Sequence, residues 1–100
     1  MTDDAVPGWT FLTNHAQVLL CIAGDPGIRL RDIGDSVGIT ERAAHRIVGQ
    51  LTDAGYITRR RNGRRNQYAV NPDVPLHDPI AHERSLGELV EVLTRGRPAA

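Results

Sequence analysis

Five arginines, Arg59, Arg60, Arg61, Arg64 and Arg65, stand within seven residues around the dipeptide Asn62-Gly63, with no acid among them. Guanidinium forks donate in fixed planar pairs that match phosphate oxygens and guanine edges, so this run offers recognition of anions and bases rather than proton transfer. The run extends upstream. Residues 40–65 hold seven arginines, including Arg42 and Arg46, against Glu41 and Asp53, a balance of +5, while the rest of the chain carries −5. A protein of formal net charge zero has therefore gathered its positive charge into one stretch, the electrostatic footprint of a nucleic-acid binder. The acidic remainder would equally permit a basic protein partner.

Other chemistries find little support. There is no glycine-rich phosphate loop after a strand, no nucleophile elbow and no carboxylate pair in an apolar setting, so no catalytic residue and no enzyme is expected. Asp32, Asp35 and Glu88 fall on polar faces. Cys21 lies in the apolar run Val18-Leu19-Leu20-Cys21-Ile22-Ala23 and reads as a small hydrophobe in a reducing compartment. Among the histidines, His77 and His82 are five apart and do not share a helical face, so no metal site or cofactor is expected. That six-residue run is far short of the roughly 20 apolar residues that span a bilayer, and Met1-Thr2-Asp3-Asp4 lacks a basic start, which predicts a cytoplasmic protein away from membranes.

The elements that must position the arginines are legible from caps, glycines and periodicity. At 100 residues the chain is expected to be one domain, burying about two thirds of its unfolded surface. Residues 1–8 read as a disordered lead, and Trp9, Phe11 and Leu12 as a hydrophobic clamp. Thr13 is placed to cap a helix over Asn14–Ala23 with a stripe of Ala16, Leu19, Leu20 and Ala23. After Gly24-Asp25-Pro26-Gly27, residues Ile28 to Leu30 are expected to pair briefly with a later ribbon, and Arg31–Val37 to form a helix burying Ile33 and Val37. Gly38 breaks that helix. Thr40 caps a third, reaching Ala54, with Ala44, Ile47, Val48 and Leu51 at helical spacing, and Gly55 follows as its terminating glycine. Gly49, which costs about 1 kcal/mol against alanine inside a helix, suggests close packing there.

Asn62-Gly63 between extended residues is a strong hairpin signal. A turn centred on it sets Arg61 opposite Arg64, Arg60 opposite Arg65 and Ile57 opposite Tyr68. Like charges facing across a ribbon are destabilising, so that pairing implies an external anion. Residues 71–79, with three prolines, read as a loop. A last helix is expected over 80–94, opened by Asp78-Pro79 or at Ser85-x-x-Glu88, with the stripe Leu86, Leu89, Val90 and Leu93; residues 95–100 read as a tail. The whole is α+β, mostly α.

Two short helices joined through a glycine, the second presenting Thr40, Glu41, Arg42, His45, Arg46 and Gln50 opposite its apolar stripe, match what a major groove admits. Arg42 and Arg46 are one turn apart and suit guanine edges, while Thr40 and the helix start suit a phosphate. The segment from Ile28 to Val70, IRLRDIGDSVGITERAAHRIVGQLTDAGYITRRRNGRRNQYAV, resembles the winged helix-turn-helix of MarR-type and ArsR-type transcriptional regulators. The resemblance covers residues 9–70 and implies a three-helix core, a two-stranded wing and an extra C-terminal helix, in a compact form without an effector domain. It implies that helix 40–54 reads double-stranded DNA through Thr40, Arg42, His45 and Arg46, and that Arg61 and Arg64 act from the wing. The expected DNA-binding set is Thr40, Glu41, Arg42, His45, Arg46, Gln50, Arg59, Arg60, Arg61, Asn62, Gly63, Arg64 and Arg65. Leu86, Leu89, Val90 and Leu93 are the expected homodimer interface, and a small-molecule effector is not expected. The alternative is a winged-helix module that docks protein or RNA.

Overall fold

A computed structural model describes residues 8–95, and the lead over 1–7 and the tail beyond Arg95 lie outside the described residues. The element order is α1 (Asn14–Gly24), α2 (Leu30–Val37), α3 (Glu41–Asp53), β1 (Ile57–Asn62), β2 (Arg65–Val70) and α4 (Leu86–Thr94). The starts of α1 and α3 answer a local signal, whereas α2 opens at Arg29 without a side-chain cap. The Thr13 and Thr40 hydroxyls accept from the amides of Ala16 and Ala43, satisfying donors that a helix leaves orphaned. At the end of α3, Gly55 takes φ +83°, its amide bonds the Thr52 carbonyl, and the Tyr56 amide reaches back to Leu51, the Schellman pattern.

The α2–α3 turn needs two glycines for different reasons. Gly38 adopts φ +87°, whereas Gly34 makes room: a Cβ there would stand 2.7 Å from the Ile39 carbonyl oxygen. That close approach lets the amides of Gly38 and Ile39 both bond the Gly34 carbonyl, at 2.8 and 2.9 Å, and folds α3 back across α2.

One core serves all six elements. Val18, Leu19 and Ile22 from α1, Ile33 from α2, Ala44, Ile47, Val48 and Leu51 from α3, Ile57 and Tyr68 from the ribbon, and Leu86 from α4 are buried together. The α1 stripe thus differs from the expected one: Val18 and Ile22 face inward, while Ala16, Leu20 and Ala23 are only half-buried. A run apolar on every side carries no periodic information, so the neighbouring helices choose its face. The expected clamp also fails to close on the core. Trp9 is 61 % and Phe11 90 % exposed, and their rings meet each other edge-on at 5.1 Å.

The loop before α4 is tethered: the Leu76 and Leu86 amides bond the Arg84 and Val74 carbonyls. Asp78 caps only a turn, accepting from Ile80 and Ala81, and α4 starts later than 80, at Leu86, through the Ser85–Glu88 capping box. Backbone bonding from Ser85, then its hydroxyl and the Arg84 charge, hold the Glu88 carboxyl below its ordinary pKa.

The α4 stripe is split. Leu86 is buried and Val90 packs against the core, whereas Leu89 and Leu93 are half-buried and Val92 is 62 % exposed.

Candidate nucleic-acid interface

Burying Ala44, Ile47, Val48 and Leu51 turns the opposite side of α3 outward, and Glu41, Arg42, His45, Arg46, Gly49 and Gln50 all lie exposed on it, with Thr40 exposed at its cap. Gln50 is partly committed, because its Oε1 pairs with His15 Nε2 at 2.7 Å and draws the amide toward α1. Gly49 overturns the packing expectation. Nothing lies within 4 Å of where its Cβ would be, so no packing requires it, and it lies on the exposed face of α3. Gly49→Ala should therefore raise stability by about 1 kcal/mol, read from denaturant midpoints at unchanged slope.

The ribbon departs from its expected register. Asn62 pairs with Arg65, Arg61 with Asn66, Arg60 with Gln67, Arg59 with Tyr68 and Ile57 with Val70. The two-residue turn is consequently Gly63-Arg64, centred one position later than Asn62-Gly63. Within the turn only Gly63 takes a positive φ, +67°, and among the described residues no non-glycine residue does. Glycine at the first turn position suffices for a hairpin of this kind, so asparagine need not enter the left-handed region. The shift preserves which side chains share a face, because the turn centre moves by one and the pairing by two. It also removes the Arg61–Arg64 and Arg60–Arg65 pairs: every arginine in the strands now faces Asn, Gln or Tyr. The cross-strand repulsion expected from the sequence is absent, and the ribbon needs no anion to close.

Arg59, Arg60, Arg61, Arg64 and Arg65 are all exposed. Two are constrained: Arg61 Nε donates to the Gly63 carbonyl at 3.2 Å, and Arg65 Nη2 donates to the Gly27 carbonyl. At the root, Asn71 Nδ2 donates to the Gly55 carbonyl at 2.7 Å and Asn71 Oδ1 accepts from Thr58, fixing the ribbon to the end of α3.

Two arginines missed at the sequence level join this surface. Arg29 and Arg31, at the start of α2, line with Arg64, Arg65 and Glu41 a hollow of about 500 Å³ between α2, α3 and the wing. Along the chain they fall within the acidic remainder, and only folding brings them beside the wing. The expected pairing of Ile28 to Leu30 with the ribbon was the available clue. The pairing is shorter and earlier than that, a single bond from the Tyr68 amide to the Pro26 carbonyl at 2.9 Å, with α2 already begun at Leu30. Among the described residues the only ion pair joins Arg84 to Glu88, so none of the arginines of α2, α3 or the wing is neutralised by a carboxylate. Among the described residues no group of His, Cys, Asp or Glu is arranged to hold a metal, and no helix is long and apolar enough to cross a membrane.

A three-helix core with a glycine turn, an exposed third helix and a basic two-stranded ribbon after it defines a winged helix-turn-helix protein. The MarR family model matches residues 10–65, and the chain belongs to the MarR family, whose members are transcription regulators and not enzymes. Two solved structures share the fold. The MarR family protein Rv2887 of Mycobacterium tuberculosis, in complex with salicylic acid, is 20% identical with a TM-score of 0.55, over 84% of this chain and 58% of that one. The PcaV transcriptional regulator of Streptomyces coelicolor, in complex with its natural ligand, is 21% identical with a TM-score of 0.51, over 89% of this chain and 64% of that one. The chain thus matches somewhat under two thirds of the length of these structures. No curated protein matches it.

Proposed function

We propose that the protein is a transcription regulator that binds double-stranded DNA with α3 in the major groove and the wing along the backbone or in the minor groove. The observation that carries this reading is the set of exposed arginines on α3 and the wing with no carboxylate partner among the described residues. Guanidinium groups left unneutralised by the protein's own acids are available to phosphate and to guanine. Arg42 and Arg46 supply base readout, His45 and the free amide of Gln50 flank them, and Arg59, Arg60, Arg61 and Arg64 bind phosphate, joined by Arg29 and Arg31 from α2. Selection of bound sequences from random duplexes tests partner class and site symmetry together. On the selected duplex, Arg42→Ala or Arg46→Ala should cost about 1 to 3 kcal/mol and relax preference at one position. Arg64→Ala should instead weaken all duplexes alike. Equal loss of sequence preference from both sets would overturn this division of labour, and tighter binding to single-stranded RNA would favour an RNA module.

The protein acts as a homodimer through α4. Leu86 and Val90 are occupied within the chain, which leaves Leu89, Val92 and Leu93 as the apolar surface for a second copy across a two-fold axis. Light scattering at micromolar concentration should give a dimer for the intact chain and a folded monomer for Leu89→Glu/Leu93→Glu. A monomeric intact chain would make these leucines the rim of one core and relieve the DNA site of any need for symmetry.

A further inference from the structure

The five wing arginines are alike in sequence but not in space. Arg65 pairs with Asn62 at the last rung before the turn, yet its guanidinium runs back to the Gly27 carbonyl, 38 residues earlier. Three residues toward the root, the Tyr68 amide bonds the Pro26 carbonyl at 2.9 Å. Both acceptors belong to the turn between α1 and α2, which is held in shape by two internal bonds: Gly27 N donates to Asp25 Oδ1 at 3.2 Å, and Ile28 N to the Asp25 carbonyl at 3.0 Å. The root of the ribbon is tied to the end of α3 through Asn71 and to the core through Ile57 and Tyr68, so the bond from Arg65 adds a hold nearer the tip.

We infer that the Asp25-Pro26-Gly27 turn is a seat for the wing, and that Arg65 is a positioning residue that locks β2 onto it near the tip. The seat fixes the angle between the wing and α3, and so the spacing at which Arg61 and Arg64 meet the duplex that Arg42 and Arg46 read. The inference rests on the duplex-binding reading for its consequence but not for its geometry. Asp25 separates a seat from bare electrostatics by sign. Removing an acid beside a basic surface should strengthen binding to a polyanion if charge alone matters. If Asp25 shapes the seat, Asp25→Ala should weaken binding, while Asp25→Asn, whose amide oxygen can still accept from Gly27, should not.

The experiment measures duplex affinity for wild type, Asp25→Ala and Asp25→Asn, with melting curves to establish folding. Alongside it, hydrogen exchange at the Tyr68 amide is measured in the free full-length wild type and in Arg65→Ala. The expected results are a loss of about threefold to tenfold for Asp25→Ala, the affinity equivalent of one hydrogen bond, none for Asp25→Asn, and faster Tyr68 exchange in Arg65→Ala. Equal affinities for the two Asp25 variants, or wild-type exchange in Arg65→Ala, would overturn the seat. If wild type binds no duplex at all, the functional reading fails, and the exchange measurement alone decides the seat.

Discussion

Raising salt from about 50 to about 200 mM should cost the protein on the order of 10³ to 10⁵ in affinity for its duplex, the dependence of a dimer making roughly 6 to 10 phosphate contacts. Each phosphate neutralised releases condensed counterions, and the logarithm of affinity falls by about 0.9 per contact for each tenfold rise in salt. The contacts are available in kind: Arg59, Arg60, Arg61 and Arg64 on the wing, with Arg29 and Arg31 at the start of α2, are exposed and in no ion pair among the described residues. Two copies bring twice that number, of which only part need touch the backbone. Titration of a labelled duplex at several salt concentrations gives the slope directly. Arg64→Ala should reduce it by about one for each copy bound, whereas a flat response would mean that the arginines meet something other than a nucleic acid.

Ile33→Ala should destabilise the fold by about 2 to 5 kcal/mol, against about 5 to 15 kcal/mol available to a typical domain. Ile33 is 0% exposed and is the fully buried hydrophobic side chain of α2, the helix on which α3 rests. Truncation leaves a cavity under the helix-turn-helix, and closing it would require α2 and α3 to move together, which the tight approach at Gly34 resists. The melting temperature should fall by on the order of 10 °C or more. Ile80→Ala supplies the matched control. Ile80 is 90 % exposed, so the same truncation there should change stability by no more than about 0.5 kcal/mol. Similar losses at both positions, in denaturant unfolding, would contradict the core described above.

The amino-acid sequence by itself determined the features set within a few residues. Thr13, Thr40 and Ser85 cap helices because a hydroxyl reaches an amide three residues on, and Gly38, Gly55 and Gly63 sit where φ must be positive. The stripe Ala44, Ile47, Val48 and Leu51 named the inner face of α3 and, by exclusion, the face carrying Arg42 and Arg46, because polar residues flank it at helical spacing. Tertiary structure decided whatever depends on distant partners. The ribbon turns at Gly63-Arg64 rather than at Asn62-Gly63, and because both registers keep the same side chains on each face, the alternation along the strands does not distinguish them. The inner face of α1 was chosen by α2, α3 and α4, since its own apolar run was uniform. Only half of the α4 stripe went into the core, and Gly49 proved open rather than packed. Arg29 and Arg31 joined the wing because folding sums charge across a surface rather than along a chain. Arg65 was set apart from its four neighbours by a carbonyl 38 residues away, and no local pattern encodes a contact at that separation.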